Sequence, residues 1–141
     1  MKVMVQFIHT YMNKLLDGWI FVNFCGQKIG QFGNNYVLDG LLNVLLGEIT
    51  YFFYIPLFYV YISLGFRAFL PLILLIVIVT IKVRYIFKGL IIRQINIDEL
   101  EKKYKFAAKR KRILYFILSI IMVVGSFLTF VFSLTFVGYL L

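Results

Sequence analysis

The 141-residue chain is poor in the residues that soluble enzymes work with: it has six acidic residues, one histidine, one cysteine and two prolines. Each scarcity excludes something. Cys25 alone forms no intrachain disulfide and leaves the redox compartment undetermined. His9 alone builds neither a metal site nor a bis-histidine haem site. Two prolines exclude a collagenous or proline-rich linker. Charged residues make up only 15% of the chain, apolar residues 62%, and mean hydropathy is +0.93. A soluble domain runs near ~25% charged and ~45–50% apolar, so an ordinary water-exposed shell is excluded, and so is intrinsic disorder. What is left is an all-α integral membrane protein.

Catalytic signatures are missing too. No G-x-S-x-G, H-E-x-x-H or P-loop pattern occurs, so the sequence assigns no catalytic residue, no metal ligand and no cofactor, and it reads as a non-enzyme. The uncharged stretches carry no acidic residue or histidine, which argues against a proton relay or an ion-coupled transporter. The chain is also too short for inverted repeats. What it has in excess is Phe, Ile, Lys, Asn and Tyr, a bias typical of an AT-rich genome.

Three stretches lack charge: 49–66, 68–81 and 113–141. Crossing ~30 Å of hydrocarbon takes ~20 apolar residues in a helix, and the last stretch meets this alone. The first two are separated only by Arg67. As one helix they would reach roughly 50 Å at 1.5 Å per residue, so a tight turn at Leu64-Gly65-Phe66-Arg67 is expected. Pro71 then falls in the first turn of the second helix, where its missing N–H costs nothing, and Pro56 should kink the first. The predicted spans are 49–66, 68–88 and 113–139, within a transmembrane domain of residues 41–141. One true span with a re-entrant hairpin is the alternative.

Eleven of the fifteen basic residues lie between Lys82 and Arg112. By the positive-inside rule this segment and the N-terminus face the cytoplasm or matrix, in a bacterial or mitochondrial inner membrane. Asn96 with Glu99 resembles a capping box. Asp98–Lys102, Glu99–Lys103 and Glu101–Lys105 are acid-before-base pairs at i,i+4. The reading is a basic cytoplasmic hairpin over 82–112 that turns at Gln94-Ile95-Asn96 and then runs unbroken from Ile97 into the last span. Lys102, Lys103, Lys105, Lys109, Arg110, Lys111 and Arg112 are its candidates for docking anionic lipid headgroups or a partner protein. With no aromatic-interleaved stacking pattern, nucleic acid is not an expected partner.

Residues 1–40 read as an interfacial segment with no cleavable signal. Met4, Ile8, Tyr11, Met12 and Leu15 share one helical face, and Lys2, Gln6, His9, Asn13 and Lys14 the other. Such a helix would lie in the membrane interface or on a partner subunit. The glycines at 18, 26, 30 and 33 are expected to end it. Trp19 and Tyr36 suit the headgroup zone, and Asp39 and Glu48 are expected at the interface ahead of the first span.

In the last span Ser119, Ser126 and Ser133 recur every seven residues. Thr129 takes the second heptad position and Gly125 borders the seam, while Phe127 and Phe132 point away. Small residues on one side let another backbone approach. The alternative is that each hydroxyl closes on its own helix. Two functions follow: a non-catalytic subunit that packs against other membrane subunits or identical copies, or a homo-oligomeric pore or membrane-disrupting effector lined by the seam.

Overall fold

The computed structural model describes residues 2–30 and 37–140, with side chains from Thr10 onward. Expectations for Lys2, Met4, Gln6, Ile8 and His9 side chains, and for Gly33 and Tyr36, lie outside the described residues. Helix is the only regular secondary structure among the described residues: α1 Lys2–Gly30, α2 Val37–Ser63, α3 Phe69–Gln94, α4 Ile97–Phe106 and α5 Lys109–Leu140. Three of these, α2, α3 and α5, are long and apolar enough to cross a membrane.

The α2–α3 turn sits where the length argument requires it. Leu64 N–H donates to Val60 O, Gly65 N–H donates to Ile62 O, and Gly65 has φ +76°. That left-handed conformation suits glycine after a helix end. The Tyr61 hydroxyl donates to Ala68 O and ties the turn shut. Helix α2 continues through Pro56. It also begins well before the uncharged stretch, with 37–47 as its first three turns.

Helix α3 ends at Gln94, and Asn96 caps α4 by accepting from Glu99 N–H at 3.3 Å. Two expectations fail beyond that point. Helix does not run on into the last span: it breaks at Ala107–Ala108, although neither residue is a breaker. Of the three i,i+4 pairs, Glu99–Lys103 forms at 2.8 Å, while Glu101 turns away from Lys105 to meet Lys28 of α1 at 2.8 Å. Lys28 holds the Glu101 carboxyl below its ordinary range, first by hydrogen bonding and then by charge.

The larger correction concerns α1. The glycines do not end it: the helix passes Gly18 and Gly26 and reaches Gly30. Its first half is exposed at Tyr11, Met12 and Leu15, but Ile20, Val22, Asn23, Phe24 and Cys25 are buried. A mid-helix glycine costs about 1 kcal/mol relative to alanine, and the contacts made by this buried run offset that cost.

Helix α2 is the hub. It packs on α1, α3 and α5, and α1 also packs on α5 and α4. Ten of its 27 residues are buried, against three of 26 in α3 and three of 32 in α5. Toward the basic end, Leu41, Leu42, Leu45 and Leu46 pack with Ile20 and Phe24 of α1, Ile91 of α3 and Leu100 of α4. Toward the turn, Tyr54, Phe58 and Tyr61 pack with Leu72 of α3 and Val137 of α5. Phe130 of α5 lies 4.9 Å from the Tyr54 ring. Apolar residues on all sides of α2 explain why its pattern shows no single face.

Candidate functional site

The buried polar groups gather where α1, α2 and α5 meet. Glu48 of α2 is 3% exposed and Asn23 of α1 fully buried, so the Glu48 side chain turns toward the neighbouring helices and not toward the surface. Trp19 Nε1 donates to Glu48 Oε2 at 2.5 Å. Asn23 Nδ2 donates to the same oxygen at 3.2 Å and to Trp19 O at 3.3 Å. Asn23 Oδ1 in turn accepts from Ser119 Oγ of α5 at 2.9 Å. One amide thus links three helices with both its N–H groups and its carbonyl used, as a low-dielectric interior requires of a buried amide.

Gly26 explains how α1 comes so near α5. A Cβ at that position would lie 2.7 Å from Ser119 Cβ, closer than real carbon neighbours come. The small residue on α1 and the hydroxyl on α5 are therefore complementary, and the approach brings Asn23 within reach of Ser119. From Arg112 to Ser119 is seven residues, or roughly 10 Å along α5, which places the junction well inside the helical layer.

One atom is left out. Glu48 Oε1 is buried and has no hydrogen-bond partner, a condition that costs about 1–3 kcal/mol. Glu48 borders a groove of about 430 Å³ whose other walls include Trp19, Ile49 and Phe52, and Ile121, Met122, Gly125, Ser126 and Thr129 of α5.

The predicted seam divides. Ser119 and Ser126 are buried, Thr129 is exposed and Ser133 half-buried. Ser119 alone bonds across helices. Ser126 Oγ donates to Val123 O, Thr129 Oγ1 to Gly125 O and Ser133 Oγ to Thr129 O. Phe127 and Phe132 are exposed as expected, with the Phe127 ring 6.0 Å from Tyr51.

The basic residues divide as well. Lys102, Lys103, Lys105, Lys109, Arg110 and Lys111 are exposed. Arg112 is drawn inward, its guanidinium 5.0 Å from the centre of the Tyr104 ring, a cation–π placement. Cys25 is buried nearby, and burial pushes its thiol up to about 11, opposed by the Arg112 charge. Among the described residues, no three His, Cys, Asp or Glu side chains gather as a metal site would need.

Sequence reasoning weighed Glu48 and missed Asn23 and Gly26. The available signal was an Asn three residues before a Gly within an apolar run, but nothing local names the partner helix. Comparison with protein-family models, curated proteins and solved structures gives no match.

Proposed function

We propose that the chain is a non-catalytic subunit of a membrane assembly, contributing packing surface to partner subunits or to further copies of itself. The carrying observation is the open arrangement around α2. Helix α3 packs chiefly on α2, and α5 on α2 and α1, so both outer helices keep long apolar faces uncovered. The polar groups inside are used in holding α1, α2 and α5 together. Helices associate in a bilayer through close packing and shared hydrogen bonds, and faces of this kind accept either lipid or another helix.

The orientation that goes with this reading places the basic α3–α4–α5 end on the cytoplasmic or matrix side, with its exposed lysines against anionic headgroups. The pore reading is second. It needs Ser119, Ser126, Thr129 and Ser133 to line a path between copies, and the engagement of Ser119 with Asn23 weighs against that.

The test is the mass of the particle extracted in mild detergent, with every chain identified. Several different chains, or a defined multimer, are expected. A monodisperse single copy of 16.6 kDa protein, extracted at native abundance, overturns the proposal. A ring of identical copies that conducts across a bilayer restores the pore.

A further inference from the structure

We propose that the groove between α2 and α3 at their basic end binds the phosphoethanolamine headgroup of a membrane phospholipid, its phosphate held by Arg84 and Lys88 and its ammonium group by Asp39. This assignment stands apart from the subunit reading and needs no partner chain.

The groove has two walls of opposite charge. Asp39 and Asn43 stand four residues apart on α2, and Arg84 and Lys88 four apart on α3, so each pair shares one helix face. All four are exposed and line a single cavity of about 520 Å³, within the range of small-molecule sites. Leu42 and Leu46, both buried, supply its apolar part. Among the described residues, neither Asp39 nor the two cations opposite it take part in an ion pair. The groove keeps the two signs of charge apart and leaves both open to an occupant.

Depth and charge together select the ligand. Arg67 lies in the α2–α3 turn and marks one membrane surface. Asn43 is 20 residues from Ser63, and Lys88 is 19 from Phe69, or roughly 30 Å along each helix. That is about the thickness of the hydrocarbon layer, so the groove opens at headgroup level in the opposite leaflet. A wholly anionic headgroup would satisfy Arg84 and Lys88 but bring a like charge up to Asp39. A choline headgroup carries a cation with no N–H to donate. Phosphoethanolamine matches both walls. Its phosphate oxygens accept from the guanidinium and the lysine ammonium, and its own ammonium brings three donors to the Asp39 carboxylate and the Asn43 carbonyl. Leu42 and Leu46 then meet the first carbons of the lipid's chains.

The experiment measures lipid binding to the purified full chain by native mass spectrometry, with phospholipids of identical acyl chains. The probes carry ethanolamine, N-methylethanolamine, N,N-dimethylethanolamine and choline headgroups, which keep the phosphate and remove N–H donors one at a time. Affinity is expected to fall along this series, by about fivefold or more from first to last, as loss of a charge-assisted hydrogen bond predicts. Asp39→Asn should flatten the series, and Arg84→Gln combined with Lys88→Gln should weaken every member of it. The wild-type series decides the matter if a variant fails to fold. Equal affinity across the series overturns the assignment, and so does a preference undiminished in Asp39→Asn. Tighter binding of phosphatidylglycerol that depends on Arg84 and Lys88 also overturns it and gives the groove to an anionic lipid. Displacement of the lipid by an equal concentration of soluble O-phosphoethanolamine overturns the lipid assignment and gives the groove to the free zwitterion.

Discussion

Gly26 and Ser119 should behave as one steric unit, and a thermodynamic cycle measures it. Gly26→Ala sets two effects against each other. Alanine gains about 1 kcal/mol of helix propensity, while the new Cβ falls 2.7 Å from Ser119 Cβ, an overlap that in packed interiors costs about 1–3 kcal/mol. The single variant is thus expected anywhere between neutral and about 2 kcal/mol less stable, which alone decides nothing. Ser119→Gly removes the colliding atoms, along with the bond to Asn23 and about 0.5 kcal/mol of propensity. In the double variant, propensity and hydrogen-bond losses add, whereas the overlap disappears. It should therefore be about 1–3 kcal/mol more stable than the sum of the singles predicts. The assay is reversible unfolding in mixed micelles with rising dodecyl sulfate, followed by Trp19 emission and far-ultraviolet circular dichroism. Additivity within about 0.5 kcal/mol would refute close approach of α1 and α5 at this point.

Two further outcomes follow from the basic end. At pH 7.5 a thiol pushed up to about 11 holds more than about 100-fold less thiolate than an exposed cysteine. Cys25 should accordingly be alkylated at least that much more slowly in the folded chain than after denaturation, and equal rates would place it at the surface. The Lys28–Glu101 pair has the sign of a depressed carboxyl: its contribution is present above the ordinary carboxylate range and is lost as pH falls through the lowered value. Hydrogen exchange at the C-terminal end of α1, corrected for intrinsic rate, should rise on acidification in the wild type and stay flat in Glu101→Gln. The same rise in both would mean that the pair does not anchor α1.

The absence of charge from 49–66, 68–81 and 113–141, the turn at Gly65, the halt of α3 before Ile95 and the Asn96 cap could all be read from residue order, because each depends on neighbours within a few positions. Other features could not be read that way. Gly18 and Gly26 look like helix breakers until the burial of Ile20, Phe24 and Cys25 is known. Ala107 and Ala108 favour helix locally, and the chain breaks there all the same; the structure offers no local cause. Glu101 has Lys105 four residues ahead and chooses Lys28, far back in the chain.

The candidate site divides in the same manner. Ser119 and Ser126 stand out by spacing alone, yet only the packed structure distinguishes Ser119, which bonds to Asn23, from Ser126, Thr129 and Ser133, which bond within α5. Glu48 is recognisable as a carboxylate next to an apolar run, but its burial and its unmatched oxygen are products of three helices meeting. Residue order thus determined that the chain is helical and apolar enough to cross a membrane three times, since hydropathy and turn chemistry act over one or two helical turns. The tertiary structure decided which side of each helix faces inward and which polar groups meet, because those outcomes depend on contacts between residues 25 to 96 positions apart.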